Sequence, residues 1–485
     1  MLPLFSALIK NRANKKLFPW TLWGLIRSVF AFLYFVAGAI ILTVIGFVLS
    51  LTTPWRKEKA KLAFHKMLSK FCWSLMYIMA NVKKQIINAP GEDFSTPAVI
   101  ICNHQSFLDI LSMVMLHPKL ILFTNNWVWN SPVFGAVVRM ADYYPVEHGA
   151  ESSLELIEEK VELGYSVVVF PEGTRSADGH IKRFHKGAFF LAEKLNIDKL
   201  PIVIHGTGYT MTKGDFLLKN GRITLEILPR IKPSDTSVGK GYAEKTKTIA
   251  RYFRNAYQRT VNRIEQPAYF RERLIYNYLY KGPELEWYMK IKLSLEKNYQ
   301  LFHDLLPRQG KLLDIGCGYG FMSYMLHFTS PQRLITGIDY DEEKIKTANH
   351  CFDKDDHINF YHANAMEFSF ETYDGIILAD MLHYLQPPEQ RALVEKCIKH
   401  LNPEGTMIIR EGNTDLGKRH KGTRLTEFFS TKVVGFNKVT DQGLSFLSGT
   451  LIKEIAADFN LEYSEVDETK FTSNIVYVIK NRPPL

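Results

Sequence analysis

Two groups of polar residues, far apart in the chain, have the types and spacing that catalysis requires. In the first group, His104 and Asp109 follow the apolar run at residues 98–102. An imidazole can accept a proton from a hydroxyl, and a nearby carboxylate can orient the ring and stabilise the cation that forms. Taken alone this pair is a weak signal, because a histidine and an aspartate on a strand-to-helix turn are more often a helix cap and a surface residue.

A glycine-containing turn at the end of a second apolar run strengthens that signal. Residues 170–176 read Phe-Pro-Glu-Gly-Thr-Arg-Ser. Backbone N–H groups of such a turn, together with the guanidinium of Arg175, can hold an anionic group. Lys182, Arg183 and Lys186 extend the basic lining. The turn therefore favours the interpretation of the first pair as a base and its orienting carboxylate.

The second polar group is a glycine-rich turn between an apolar run and a predicted helix. Residues 314–320 read Asp-Ile-Gly-Cys-Gly-Tyr-Gly. Glycines at a strand-to-helix turn let a ligand approach the backbone. Phe321 replaces the third glycine of the dinucleotide fingerprint, and the Lys-Ser/Thr pair of a P-loop does not follow. Asp339, at the end of the next predicted strand, is placed to accept hydrogen bonds from ribose hydroxyls.

Short apolar runs alternate with helical stretches around both groups, which is typical of an α/β fold. In the first half the predicted strands are residues 98–102, 120–123, 166–170, 200–204 and 222–228, and the predicted helices are 152–163 and 241–264. In the second half, one or two helices within 268–306 precede strands at 312–315, 334–340, 358–365, 373–380, 406–411, 461–466 and 474–480, with a helix at 448–458.

An uncharged run of 23 residues, 29–51, is long enough to cross a bilayer as a helix of roughly 34 Å. Tryptophans and cations flank it on both sides: Trp20, Trp23, Lys10, Arg12, Lys15, Lys16 and Arg27 before it, Trp55, Arg56, Lys57, Lys59 and Lys61 after it. Because both flanks are basic, the positive-inside rule does not orient a simple span. A hairpin bent at Gly38 or Gly46, an in-plane helix, a straight span and a buried soluble helix all remain open.

The charge of the chain is unevenly distributed. The whole chain carries +10, of which residues 1–84 carry +12, residues 85–265 carry +2 and residues 266–485 carry −4. The surplus therefore lies beside the apolar run, where anionic lipids attract it, and it gives no support to a nucleic-acid partner. These three segments are the predicted domains: membrane-associated helices and two α/β domains. Five scattered cysteines without a C-x-x-C pair predict neither disulfides nor a metal site.

In order and spacing, residues 103–109 (Asn-His-Gln-Ser-Phe-Leu-Asp) and 170–176 resemble the glycerolipid acyltransferase family, which includes the lysophosphatidic acid acyltransferases, over roughly 60–265. The resemblance implies that His104, oriented by Asp109, deprotonates an acceptor hydroxyl that attacks an acyl thioester of coenzyme A or acyl carrier protein. It also implies the acceptor-binding residues Glu172, Gly173, Thr174, Arg175 and Lys186.

One stretch departs from that family. Between the two motifs its members usually carry an arginine that helps to hold the acceptor phosphate, but residues 142–148 read Asp-Tyr-Tyr-Pro-Val-Glu-His. A carboxylate at this position would repel a phosphate. Arg139 is a substitute for the missing cation. An uncharged hydroxyl, such as a phenol or a lipid alcohol, therefore competes with lysophosphatidate as the acceptor.

The glycine-rich turn and Asp339 resemble the class I S-adenosylmethionine-dependent methyltransferases over roughly 285–480. The resemblance implies a Rossmann-like domain with a mostly parallel seven-stranded sheet, and S-adenosylmethionine as cofactor. The cofactor-binding residues that it implies are Asp314, Gly316, Gly318, Gly320, Asp339, Asn364, Ala365 and Asp380. His383 is either a general base for a hydroxyl or a structural histidine. Residues 412–447, with Phe428, Phe429, Phe436 and Phe446, are either a lid over an apolar substrate or ordinary aromatic core.

The two-domain order, with the tracts 280–288 and 429–437, resembles acyltransferase–methyltransferase fusions of bacterial aryl polyene and flexirubin-type clusters. It implies a bifunctional enzyme on the cytoplasmic face of the bacterial inner membrane, with membrane lipids and an acyl thioester as partners. Two alternatives remain: phospholipid synthesis by a lysophosphatidic acid acyltransferase coupled to head-group N-methylation, and one inactive domain that serves as a membrane tether or scaffold.

Overall fold

The structure, a computed structural model, describes residues 21–52, 57–124, 126–131, 134–145, 154–176, 179–296, 298–416, 445–467 and 473–481. The chain divides into two compact units, of which the first ends at Ile264 and the second begins at Glu265. The first unit contains the apolar helix together with the first sheet, and a separate status for residues 1–84 stays a prediction. We describe each unit by itself.

The first unit begins with two long helices, and strands alternating with helices follow. Its helices are α1 (Leu22–Thr52), α2 (Lys57–Ile78), α3 (Leu108–Val114), α4 (Asn126–Trp129), α5 (Gly135–Met140), α6 (Leu154–Glu162), α7 (Gly187–Lys194), α8 (Thr207–Thr210) and α9 (Tyr242–Ile264). Its strands are β1 (Val82–Ile87), β2 (Ala98–Cys102), β3 (Leu120–Thr124), β4 (Tyr144–Pro145), β5 (Ser166–Val169), β6 (Asp198–His205) and β7 (Gly221–Ile227).

The seven strands form one sheet in the order β1-β7-β6-β2-β5-β3-β4, parallel except for the antiparallel pair β6/β7. The central strand β2 is buried along its whole length, as its uninterrupted apolar sequence predicts for a strand covered on both faces. β2 lies between β5 and β6, so the turns that follow these parallel strands meet at one edge of the sheet. This edge carries both acyltransferase motifs.

The apolar helix α1 is continuous from Leu22 to Thr52 and packs against α2 and α5. Of the four arrangements that the sequence left open, the hairpin bent at Gly38 or Gly46 is therefore not formed. A Cβ on Gly38 would lie 2.0 Å from the Phe71 ring, and one on Gly46 would lie 3.2 Å from the Phe64 ring. The glycines thus permit close packing between the two helices instead of breaking α1. Trp20, Trp55, Lys10, Arg12, Lys15, Lys16 and Arg56 lie outside the described residues.

The second unit opens with three helices where one or two were expected, and an alternating α/β series follows. Its helices are α10 (Pro267–Asn277), α11 (Pro283–Leu295), α12 (Asn298–Leu305), α13 (Phe321–Thr329), α14 (Glu342–Asn349), α15 (Pro387–Lys399) and α16 (Gly449–Asp458). Its strands are β8 (Gly310–Ile315), β9 (Arg333–Asp339), β10 (Ile358–His362), β11 (Tyr373–Ala379), β12 (Leu401–Gly412), β13 (Glu462–Val466) and β14 (Asn474–Lys480).

These strands form a second seven-stranded sheet in the order β10-β9-β8-β11-β12-β14-β13. The five strands from β10 to β12 are parallel, and β14 pairs antiparallel with both β12 and β13. The prediction of a mostly parallel seven-stranded Rossmann-like sheet is confirmed. The strand order places the ends of β8, β9 and β11 side by side, and the predicted cofactor residues follow these ends.

Candidate active sites

The base predicted in the first unit is a hydrogen-bonded pair at the carboxyl end of β2. Nδ1 of His104 lies 2.9 Å from Oδ2 of Asp109, whose side chain is completely buried. The same oxygen accepts the backbone N–H groups of Gln105 at 2.6 Å and Ser106 at 2.7 Å. These donors stabilise the carboxylate, and the carboxylate holds the ring proton on Nδ1. Nε2 is therefore the nitrogen of His104 that can take a proton from a substrate.

Contacts with the second motif fix the position of the histidine. The His104 ring stacks on Phe170 with 4.3 Å between centroids. Its backbone N–H donates to Oε1 of Glu172 at 2.8 Å, and the backbone N–H of Lys182 donates to Oε2 at 2.9 Å. Glu172 is buried, and burial raises the pKa of its carboxyl group. Both of its oxygens bind backbone, so Glu172 joins the two loops, while a direct contact between Glu172 and the acceptor stays a prediction.

The remaining residues that were predicted to bind the acceptor form a basic, solvent-facing rim beside the pair. Gly173 has φ of +71°, and its chain neighbour Thr174 accepts a hydrogen bond from Nζ of Lys182 at 3.2 Å. The backbone oxygen of Arg175 accepts from Lys182 at 3.3 Å and from Lys213 at 3.0 Å. The structure therefore brings the ammonium groups of Lys182 and Lys213 to one backbone carbonyl of the motif. Lys186, at the start of α7, is exposed.

Side chains outside the predicted set align the strands beneath the pair. The Asn103 amide accepts from the N–H of Ile204 at 2.8 Å and donates to its carbonyl at 2.7 Å, which ties the end of β2 to β6. Nε2 of Gln105 donates to the hydroxyl of Tyr257 at 2.7 Å. Both residues adjoin the histidine in sequence, which is the signal that could have found them.

The stretch that departs from the family pattern is only partly described. Asp142 forms ion pairs with Lys61 at 2.7 Å and Lys160 at 3.1 Å, so neighbouring cations offset its charge. Nη1 of Arg139 donates to the backbone oxygen of Trp129 at 2.7 Å. Residues 146–148 lie outside the described residues. An altered preference for a phosphate acceptor therefore stays a prediction.

In the second unit, the glycine-rich turn is connected to the aspartate that follows β9. Gly316, Gly318 and Gly320 all have positive φ, between +55° and +78°. The N–H of Gly318 donates to Oδ2 of Asp339 at 2.7 Å, and the N–H of Asp341 donates to Oδ1 at 2.8 Å. A Cβ on Gly318 would have no atom within 4 Å. The turn is therefore open to a ligand at Gly318, and a carboxylate that accepts two N–H groups retains lone pairs for hydroxyls.

Asp314 and Asn364 lie on either side of this turn. Asp314 is buried, accepts a hydrogen bond from the Ser323 hydroxyl, and has its pKa raised to about 6 by burial. Oδ1 of Asn364 accepts the N–H of Met366 at 3.0 Å, and the N–H of Ala363 donates to the backbone oxygen of Asp339 at 3.0 Å. The loop with Asn364 and Ala365 thus begins beside Asp339, the aspartate predicted to bind the ribose. An open glycine turn with these polar groups fits S-adenosylmethionine.

The residues after β11 are engaged with β12. Asp380, which has φ of +54°, forms an ion pair with Arg410. Nδ1 of His383 lies 2.7 Å from Oε1 of Glu411, and the Leu382 N–H donates to Oε2 at 3.0 Å. The side chains of His383 and Glu411 are 1% and 2% exposed. The structure thus brings together a second histidine–carboxylate pair, and both side chains of this pair are buried from solvent.

Glu411 was not among the predicted site residues. Its sequence signal is weak: an acid near the end of β12, shortly after the apolar run 407–409. Phe446 stacks on His383 with 5.4 Å between ring centroids. Phe428, Phe429 and Phe436 lie outside the described residues, as does the tract 429–437, so both interpretations of this segment stay predictions.

Comparisons with known proteins match segments of both units. The Acyltransferase family matches residues 59–205, and a Methyltransferase domain family matches residues 312–405. The chain is 34% identical over 209 residues to 1-acyl-sn-glycerol-3-phosphate acyltransferase LPAT1, chloroplastic, of Arabidopsis thaliana, covering 41% of this chain and 56% of that protein. It is 34% identical over 178 residues to the corresponding BAT2 protein of Brassica napus, covering 35% of this chain and 51% of that protein.

A solved structure of the acyltransferase PlsC from Thermotoga maritima aligns with 49% of this chain and 97% of its own, at 21% identity and a TM-score of 0.42. The chain spans about half the length of the first curated relatives that it matches. Both predicted resemblances are confirmed: a segment that matches the Acyltransferase family is followed along the chain by one that matches a Methyltransferase domain family.

Proposed function

We propose that this chain is a bifunctional transferase that acylates a hydroxyl of a lipid-like acceptor and methylates an aryl or lipid substrate. The observation that carries the proposal is the pair His104–Asp109, whose carboxylate is buried while the imidazole side chain remains 14% exposed. A base with a fixed proton on one nitrogen and solvent access to the ring suits hydroxyl activation.

In the acyl transfer, Nε2 of His104 takes the proton of the acceptor hydroxyl as its oxygen attacks the thioester carbonyl. The C–S bond then breaks, an ester forms, and the thiol leaves with the proton returned by the imidazolium. Asp109 stabilises that imidazolium through its bond to Nδ1 at 2.9 Å. The donor in this proposal is an acyl thioester of coenzyme A or acyl carrier protein.

The acceptor is the main open choice, and two classes compete. The ammonium groups of Lys182 and Lys213 lie around the backbone carbonyl of Arg175, and such a pair of cations suits the phosphate of a lysophosphatidate. The relatives are named as 1-acyl-sn-glycerol-3-phosphate acyltransferases, which supports this class. The stretch 142–148, which lacks the arginine usual in the family and puts an acid near that position, favours an uncharged aryl or lipid hydroxyl of the aryl polyene type.

In the methyl transfer, bound S-adenosylmethionine supplies an electrophilic methyl group. Asp339 would accept hydrogen bonds from ribose hydroxyls, and Asn364 with Ala365 would border the adenine. Asp314 would lie near the methionine part, where the Lys292 cation also acts on it. Asp380 is held by Arg410 after β11, and would face the methyl group.

We place the enzyme in the plane of a membrane interface, on the cytoplasmic face of the bacterial inner membrane. Within the described residues one helix, α1, is long and apolar enough to cross a bilayer. It contacts the first unit along its length, from Arg27 beside Asn220 to Gly46 beside Met140. Its other side exposes large apolar residues by more than half: Leu22, Trp23, Phe30, Leu33, Ile41, Phe47 and Leu51. This two-sided distribution supports an in-plane helix over a span.

The test uses the purified full chain, acyl thioester and methyl-labelled S-adenosylmethionine, with lysophosphatidate or a hydroxyaryl lipid as acceptor. We expect an acylated product from one acceptor class and a methylated product detected as transferred label. Asp339→Ala is expected to weaken S-adenosylmethionine binding at least tenfold while acyl transfer is retained. Transfer of neither group to either acceptor would overturn the proposal.

A further inference from the structure

A stripe of cations runs along α9 on the side that faces solvent. The helix contains six Lys/Arg residues and a single acid. Lys247, Arg251 and Arg254 are spaced four and three residues apart, so they lie on one side of the helix, and all three are exposed. Among the described residues, the ion pairs of this helix involve Lys245 and Arg263 instead. The stripe is therefore available to a partner.

The carboxyl-terminal half of the same helix reaches the acyltransferase site. The hydroxyl of Tyr257 accepts a hydrogen bond from Gln105, the chain neighbour of the catalytic histidine, at 2.7 Å. Phe253 contacts Phe184 edge-on at 5.5 Å and so holds the basic loop of the acceptor site against α9. Ten residues separate Tyr257 from Lys247, which is roughly 15 Å along a helix. The stripe thus begins beside the site and leads away from it.

The stripe and the apolar helix α1 lie on opposite faces of the first sheet. The chain crosses from β2 to β3 through α3 in one direction, and from β5 to β6 through α7 in the other. Right-handed crossovers, which nearly all parallel β-α-β units adopt, therefore place α3 and α7 on opposite faces. α1 packs on α2, which packs on α3, whereas α9 packs on α7. When α1 lies at a membrane, the stripe faces the aqueous side.

We propose that this stripe is the docking surface of an acidic acyl carrier protein that presents the thioester to His104. The inference rests on the proposed acyl transfer and specifies its donor. Three cations spread over roughly 10 Å of a convex helix suit the acidic surface of a protein. The phosphates of coenzyme A would instead require donors that converge on one point. Its position away from α1 excludes the bilayer as the occupant.

The test compares two donors that carry the same acyl chain, acyl carrier protein and coenzyme A. In the combined variant Lys247→Glu, Arg251→Glu, Arg254→Glu, we expect KM for the carrier-bound donor to rise at least tenfold. We expect kcat/KM for the coenzyme A donor to stay within twofold of wild type. Arg251→Glu alone is expected to give an intermediate rise. Arg259→Glu, a matched change on the same helix about 80° around from Arg251, is expected to leave KM unchanged.

Binding of the holo acyl carrier protein to the full chain is measured in parallel, together with binding to vesicles that contain phosphatidylglycerol. We expect the combined variant to lose carrier affinity at least tenfold and to keep vesicle binding. An unchanged KM and affinity for the carrier would overturn the inference, as would an equal loss with both donors or release from vesicles. If wild type transfers acyl groups from neither donor, the proposed function fails, and the carrier affinity alone decides the docking surface.

Discussion

The two units each contain a histidine bonded to a buried carboxylate, and the pairs differ in access. In the first unit His104 lies 2.9 Å from Asp109, and in the second His383 lies 2.7 Å from Glu411. The His104 side chain is 14% exposed and that of His383 is 1% exposed. The hydrogen bond that orients the imidazole is present in both. Only the first ring can meet a hydroxyl in the arrangement described.

The hydrogen bonds that Asp109 and Glu411 accept also differ between the two pairs. Asp109 accepts backbone N–H groups from the turn of its own motif, whereas Glu411 accepts N–H groups from the loop after a neighbouring strand and from Gly412. Asp109 therefore organises a site, and Glu411 holds a loop to β12. The comparison teaches that the same hydrogen-bonded pair can act as a base or as a structural connection, and that solvent access decides which.

The largest effect is expected from Asp109→Asn. An amide can still accept the N–H groups of Gln105 and Ser106, but it cannot stabilise the imidazolium of His104. We expect kcat for acyl transfer to fall roughly 10³-fold, within the range for the loss of a positioned base, with KM little changed. Steady-state kinetics with the thioester donor measure this. A fall of less than tenfold would contradict the role of the pair.

A smaller effect, on the pH dependence of stability, is expected from replacing the buried Asp314 of the second unit by asparagine. Burial raises its pKa from 3.8 to about 6, so the folded state binds the proton more tightly than the unfolded state does. The contribution of the protonated Asp314 carboxyl group to the unfolding free energy is fully present below about pH 4. It is lost as the pH rises through about 6. Relative to Asp314→Asn, we expect wild type to lose about 3 kcal/mol of unfolding free energy across this window.

Denaturant unfolding of the full chain between pH 4 and 7 measures this difference in the transition that belongs to the second unit. Methyl donor analogues identify that transition, because ligand binding raises its midpoint. A parallel dependence on pH in wild type and Asp314→Asn would show that Asp314 is not the titrating group.

The smallest effect is expected from Glu411→Gln, which tests the structural side of the comparison. The change removes charge-assisted bonds to His383 and to backbone N–H groups, and we expect a loss of about 2 kcal/mol in the stability of the second unit. Acyl transfer should be unaffected. If stability is retained while methyl transfer falls more than a hundredfold, His383 and Glu411 form a catalytic pair, and the contrast between the two units is wrong.

Much of the fold could be predicted from sequence because buried parallel strands leave uninterrupted apolar runs. The strand predicted at 98–102 is observed as Ala98–Cys102. The last parallel strand is longer than the predicted 406–411 because Leu401 pairs with Tyr373 before a shift in register. The sequence left a hairpin in α1 open because the packing of Phe71 against Gly38, which accounts for the glycine without a bend, is a tertiary contact that composition does not show.

The residues of the candidate sites likewise include some that the sequence could predict and some that it could not. His104, Asp109 and the glycine turn could be found because each motif is local in sequence. Glu411 and Lys213 could not, since strand pairing or loop packing brings them to their partners from 28 and 38 residues away. The sequence also does not show the solvent exposure of a side chain, which is the property that distinguishes His104 from His383.

The most direct test measures acyl and methyl transfer in one preparation each of wild type, His104→Ala and His383→Ala. The account predicts that His104→Ala loses acyl transfer by about 10³-fold while methyl transfer is retained, and that His383→Ala retains acyl transfer. Acyl transfer within tenfold of wild type in His104→Ala would contradict the account.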